Sequence, residues 1–371
     1  MMARFGDFVR RVNTKEDRFK TDRIYYVGGE HIESNELLVK SKGLIEGSTI
    51  GPMFYFGFKA GDILFVTRNP HLRKCAKVEF DGICSEKTLV LATVDNSILL
   101  QDYLALVMQS DDFWDYCEDN KSGGVNYFIN WSTLEEYEFD LPSIKDQIHI
   151  TNQVWSAYRL KEAYQRLLTA TDEMVKSQFI EMFGDSNYSS LTLDAVAEKW
   201  LKGQPFKKDA IIPNGSQSCI HYGELFTKYG PLIYNVISTT NEELKTSSQS
   251  GDILFPASDV TPNGLTRCSM IPFDNILLGG DIIILRPKKG FDPAYLSFAI
   301  NMQKVQLLKQ VTGAVVKHIS AKGIKQVSIP VPPLELQEEF AAIVRQADKS
   351  KFELKKAIEA IDQVIKSLIN G

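Results

Sequence analysis

The sequence predicts an α+β chain in which two globular domains alternate with two long helices, the helices pairing as an antiparallel coiled coil. Three observations lead to this reading. The second half echoes the first at an offset of 190 residues. Each half ends in a long stretch of helical apolar periodicity entered through proline, and each begins with short strand-like runs bounded by turn residues.

The echo is read position by position. GDILF occurs at 61–65 and again at 251–255, and SGGVNYFI (122–129) lies over TGAVVKHI (312–319), with Gly123 over Gly313 and Ile129 over Ile319. Pro142 falls on Pro332, Gln147 on Gln337, Val154 on Val344, and Lys176-Ser177 on Lys366-Ser367. A constant offset predicts a duplicated chain with a pseudo-twofold internal repeat. The expected parts are domain one at 1–142, helix one at 143–184, domain two at 185–332 and helix two at 333–371.

Strands are expected at 62–66, 88–92, 252–255 and 281–285, with one shorter helix after them in each half, at 101–118 and 293–310. The long helices are expected at 143–181 and 334–369. Pro142 and Pro332-Pro333 stand just before them, where proline fits a helix start, and Gly184 closes the first. At 1.5 Å per residue each would span roughly 55 Å, longer than a small domain is wide.

Both long stretches carry a heptad. In helix two the a positions are Val344, Lys351, Ile358 and Ile365, and the d positions Ala347, Leu354, Ile361 and Leu368. The same register in helix one gives Val154, Lys161, Leu168 and Val175 at a, and Ala157, Tyr164, Thr171 and Gln178 at d, with Tyr158 and Phe179 widening the apolar face. Matching strips make the helices natural partners for each other; the alternative is that each packs on its own domain. Lys161 and Lys351 interrupt the a positions near mid-helix. They either fix the register at a cost in stability or snorkel out of the seam.

Composition removes several function classes. With 371 residues, 44% hydrophobic and 24% charged, the chain is a globular protein of two or three domains. A net charge of −5 excludes a uniformly basic nucleic-acid coat, so nucleic-acid contact would use local patches. Five scattered cysteines without CxxC suit a reducing compartment and exclude a disulfide scaffold. The start of the chain has no apolar signal region and no run reaches membrane-spanning length, so a cytoplasmic protein without membrane contact is expected. GxSxG, HExxH and the P-loop are absent, and the five histidines show no metal-ligand spacing. Asn69-Pro70-His71-Leu72 is a weak match to the adenine-holding motif of amino-methyltransferases, and no glycine-rich cofactor turn precedes it.

These motifs together resemble the specificity subunits of type I restriction–modification systems. GDILF in each half, CIHYGELFTKYGP (219–231), the helix entries LPSIKDQ (141–147) and VPPLELQEE (331–339), and above all TGAVVKHISAKGIKQVSIPVPPLELQ carry the resemblance, which covers essentially the whole chain. GGEHI (28–32) is only a weak counterpart of the YGEL segment, so the two halves have diverged. The resemblance implies two target recognition domains, each reading one half of a bipartite, asymmetric DNA target, with the helix pair as a ruler. A symmetric reader would recognise a palindrome instead, and the ruler would place the domains about one turn (10–10.5 bp) apart. It further implies a non-catalytic chain that docks two methyltransferase subunits and nuclease–translocase subunits, with S-adenosylmethionine, ATP and Mg²⁺ held by those partners and no cofactor or metal in this chain.

Two basic stretches without an acid are the expected contacts with double-stranded DNA. The first, 66–77, offers Arg68, Asn69, His71, Arg73, Lys74 and Lys77; its counterpart at 256–267 offers Ser258, Asp259, Thr261, Asn263 and Arg267. Arginine and asparagine can bond base edges, while lysine mainly neutralises phosphate. The second, 304–325, holds Thr312, Gly313, Lys317, His318 and Lys322, matched in the first half by Lys121, Asn126 and Tyr127. The acidic run DDFWDYCED (111–119) is expected as a solvated helix face with Phe113, Trp114 and Tyr116 partly packed inward. Two other readings stand beside this one: a protein-interaction scaffold whose coiled coil is the point, and a stand-alone methyltransferase.

Overall fold

The computed structural model describes residues 1–184, 188–243 and 245–371, and its chain divides into two compact units. One comprises Met1–Gln165 with Lys356–Gly371, the other Arg166–Lys355. Asp185, where the second domain is expected to begin, and the end of the FGDS segment lie outside the described residues. No helix among those described is long and apolar enough to cross a membrane.

In the first unit an antiparallel sheet runs Val9–Arg11, Thr88–Thr93, Ile63–Val66, Cys75–Lys77. GDILF forms its third strand because the residue alternation feeds two cores. Ile63 and Phe65 enter the cluster that also contains Val154 and Tyr158 of the first long helix, while Leu64 and Val66 face a second cluster with Val27, Phe58 and Cys84. A strand covered on both faces reads as a continuous apolar run rather than an alternation. The second sheet runs Gly43–Leu44, Tyr25–Val27, Gly82–Ser85, Phe54–Phe58, with the middle two strands parallel. Met2–Arg4 pairs with Glu138–Asp140, just ahead of the long helix.

The second unit has its own sheet in the order Ala197–Lys202, Ile282–Pro287, Asp252–Pro256, Ser269–Ile271. Ile253 and Phe255 join the core shared with Val175, Phe179 and Val344, and Leu254 enters the other cluster with Ile220 and Leu278. Ser238–Thr240, Gln217–Ile220 and Leu277–Leu278 form the smaller sheet, again with one parallel pair. Glu224 of the YGEL segment is buried there, accepting hydrogen bonds from His221 N, Lys228 Nζ and Ser238 Oγ.

One expected element splits. Gln101–Val107 and Asp111–Asp119 replace the single helix at 101–118, because the Ser110 hydroxyl donates to Val107 O and accepts from Phe113 N, ending one helix and capping the next. The counterpart breaks at Gln303, between Pro293–Met302 and Lys304–Leu308. The acidic run also differs from expectation. Phe113, Trp114 and Cys117 are fully buried, so 111–119 is a core helix with an acidic outer edge.

The long helices are Ile144–Phe183 and Leu334–Asn370. Their proline-and-glutamine entries have a structural cause. The buried Gln147 accepts a hydrogen bond from Leu100 N and donates to Ile98 O and Pro142 O; the buried Gln337 accepts from Asp292 N and donates to Pro332 O. In the first unit Val154, Trp155, Tyr158 and Ile365 share the domain core, with Ile361 and Leu368 at its margin. In the second, Val175, Phe179 and Phe183 pack with Phe340, Ala341, Val344 and Ala347. There Asp172 meets Lys351 and Phe179 meets Phe340, so these two helical segments run antiparallel. The helices thus pack on each other and on the domain core within each unit. Leu168, Leu354 and Ile358 are half-buried, and much of the buried surface comes from the aromatic residues flanking the heptad.

Neither lysine leaves for solvent. Lys161 bonds Asp362 at 2.7 Å with Glu36 at 3.5 Å, and Lys351 bonds Asp172 at 2.8 Å and Asp348 at 2.5 Å.

Candidate nucleic-acid interface

In the first unit the chain leaves Ile63–Val66, takes left-handed backbone at Asn69 and Arg73, and turns through Pro70–Leu72. The Gly-Gly segment comes alongside it. Asn69 N donates to Tyr127 O at 2.9 Å, Ile129 N donates to Thr67 O at 3.0 Å, and Arg68 stands opposite Phe128. The Arg68 guanidinium lies 5.0 Å from the Phe128 ring centre, and among the described residues no carboxylate pairs with it. Lys121 lies 4.7 Å from the Tyr127 ring centre and bonds Glu118, which raises its pKa. Asn126 and His71 are exposed.

The remaining cations of this stretch are bound within the fold. Arg73 bonds Asp111 at 2.6 Å, Lys74 donates to Gly29 O at 2.6 Å, and Lys77 bonds Asp102 while standing over the Trp155 ring. The basic run therefore divides: Arg68 and Asn69 meet the glycine turn, His71 stays exposed, and Arg73, Lys74 and Lys77 are bonded within the domain.

In the second unit Ser258–Asp259 pairs antiparallel with Lys317–His318, Ser258 opposite His318 and Asp259 opposite Lys317. Ile319 N donates to Ala257 O at 3.0 Å. The buried Ser258 hydroxyl donates to Asp281 at 2.9 Å and lies 3.0 Å from His318 Nδ1. A nucleophilic triad needs histidine between serine and carboxylate. Here serine is in the middle, so the trio orients an exposed imidazole rather than activating a hydroxyl. Asp259 bonds Val260 N and Thr261 Oγ1, and Lys317 donates to Gly313 O and Ala314 O. Arg267 donates to Phe226 O. Thr261, Asn263, Thr312, Gly313 and Lys322 are exposed.

Sequence reasoning treated the stretch after GDILF and the glycine turn as separate candidates; in each unit the structure joins them. It also adds Arg11 and Trp131, which line a cleft of about 220 Å³ with Arg68 and Phe128. Arg11 lies on a strand far earlier in the chain, and no motif pointed to it. Among the described residues no group of three or more His, Cys, Asp or Glu side chains is arranged to hold a metal ion.

Residues 186–363 match the family model of the type I restriction modification DNA specificity domain. A relative described as the type I restriction enzyme MjaVIII specificity subunit, from Methanocaldococcus jannaschii, is 24% identical over 173 residues, which are 46% of this chain. The aligned part spans only 38% of that relative's length. The type I restriction–modification S subunit from M. genitalium superposes with a TM-score of 0.66 at 14% identity, covering 100% of this chain and 94% of that one. A chain from a structural study of complex assembly and conformational transition of the type I R-M system gives 0.54 at 17% identity, covering 100% and 96%. At such identities these likenesses show the fold.

Proposed function

We propose that this chain is the DNA-specificity subunit of a type I restriction–modification system. On this reading it is a non-catalytic protein, duplicated internally, whose two recognition domains each read one half of a split, asymmetric target. The observation that supports it most directly is the joined loop pair in each unit. The stretch after GDILF and the glycine turn converge on one surface, and the residues displayed there differ: Arg68, Asn69 and Tyr127 in one unit, His318 in the other. The specificity-domain match over 186–363 supports the same reading.

The long helices pair as a coiled coil and set the number of unread bases between half-sites. Their outer faces dock two methyltransferase subunits, to which nuclease–translocase subunits are added. S-adenosylmethionine, ATP and Mg²⁺ belong to those partners. A pure scaffold would bind duplex DNA no better than an ordinary acidic protein, whereas phosphate contacts make affinity fall steeply with salt.

The test is adenine-methylation sequencing of cells expressing the chain with a cognate methyltransferase subunit, against cells lacking the chain. A split motif that depends on the chain is expected. An unchanged methylome in the presence of a methyltransferase proven active with another specificity subunit overturns the proposal.

A further inference from the structure

The two most exposed large apolar side chains among the described residues are Val125, at 90%, and Val315, at 85%. They lie 190 positions apart, at the same place in the two glycine turns. A single exposed valine is ordinary. Two at matched tips, each followed by three residues that differ between the loops, are a pattern.

The turns are built to hold these tips outward. Ser122 and Phe128 exchange backbone hydrogen bonds of 2.7 and 2.9 Å, and Thr312 and His318 exchange bonds of 2.9 and 2.8 Å. Within these closures Gly123 and Gly313 have φ of +98° and +101°, and a Cβ on either would come within 2.7 Å of Asn126 O or 2.1 Å of Val316 O. Only glycine fits both conditions. The Lys317 ammonium folds onto the carbonyls of Gly313 and Ala314, further stiffening the second turn. A closed turn cannot collapse to cover its apolar tip.

We infer that Val125 and Val315 make apolar contacts with bases, one in each half-site. This rests on the DNA-specificity reading above. The surroundings fit a duplex: each tip rises from the joined loops, with Arg68 opposite Phe128 at the closure of the first turn and Lys317 within the second. Apolar side chains read DNA through the thymine methyl group in the major groove or by wedging between base steps.

The test uses the full chain with its methyltransferase partner and the variants Val125→Ser and Val315→Ser. Both positions are exposed, so unfolding midpoints should match the unaltered chain. Each variant should bind the target duplex about tenfold more weakly. The dependence on salt should keep its slope, because no phosphate contact is lost. Methylation should relax at one position, in the first domain's half-site for Val125→Ser and in the second's for Val315→Ser. A duplex with uracil for thymine separates the two modes. Weakening by uracil that disappears in the variant supports a methyl contact, and a variant defect insensitive to uracil supports a wedge. Unchanged affinity and an unchanged motif in both variants overturn the inference alone. No motif and no preference for any duplex in the unaltered chain overturn the reading beneath it.

Discussion

Arg68 faces Phe128 in one unit; Ser258 faces His318 in the other, at the same backbone register. The first pair shows a guanidinium over an aromatic ring with no carboxylate partner among the described residues, the second an imidazole held by a buried hydroxyl that bonds Asp281. The lysine networks diverge in the same manner. Lys161 draws Glu36 from the globular domain, with Tyr158 bonded to that carboxylate, whereas Lys351 finds Asp348 on its own helix. The difference teaches that backbone hydrogen bonds carry the shared frame while side chains change freely on it. Such a division lets a reader keep its architecture and alter its target.

The comparison breaks most completely if the units are not independent readers. Replacing residues 191–330 by the corresponding domain of another specificity subunit should change one half-site entirely and leave the other untouched, as read by methylation sequencing. Inserting residues near Thr169–Thr171 should change only the spacer.

Next in size is Lys351→Leu. It leaves the buried Asp348 without its cation, and stability should fall by about 3–5 kcal/mol in urea unfolding. Lys161→Leu should cost less, because Glu36 keeps Lys40 and Tyr158. Replacing both Lys351 and Asp348 by leucine should recover most of the loss. If the double variant is as unstable as the single one, the buried carboxylate is not the cause.

At the reading surface, Arg68→Ala should weaken duplex binding by about 1–3 kcal/mol and relax the first half-site only. Loss at both half-sites would show that the two loop surfaces do not read separately.

The smallest effect is with pH. Burial pushes the Glu36 carboxyl up, but the bonds from Lys40 and Tyr158 and the charge of Lys161 outweigh it and hold its pKa below the usual 4.5. Its stabilisation is complete above that value and disappears as pH falls through the lower folded value. Asp348 is the reverse. Burial dominates, Lys351 offsets it only in part, and the pKa stays above 3.8. It opposes folding at neutral pH, and that opposition fades on acidification. In a carboxyl NMR titration Asp348 should therefore protonate above, and Glu36 below, the ordinary value of its own residue type.

Much of this was legible in the sequence because it depends on local chemistry. The long helices end within two residues of expectation, since proline entry and apolar period are local signals. GDILF is a strand in both halves for the same reason. The likeness to type I specificity subunits agrees with the family match over 186–363. Tertiary effects were not legible. Ser110 divides a helix through one hydroxyl, and Lys77 bonds Asp102 and stands over Trp155, both of which arrive from later in the chain. That the stretch after GDILF meets the glycine turn within each unit depends on backbone bonds such as Asn69 to Tyr127 and Ile319 to Ala257, which no composition reveals.

The buried glutamines at the helix entries have one more consequence. On the domain side their hydrogen bonds go to main-chain groups: Leu100 N and Ile98 O in one unit, Asp292 N in the other. Hydrogen bonds to peptide groups place no demand on side-chain identity there, whereas the apolar contacts of Val154 and Tyr158, or of Phe179 and Val344, with the domain cores do. At this point the joint is indifferent to the side chains of the domain it receives.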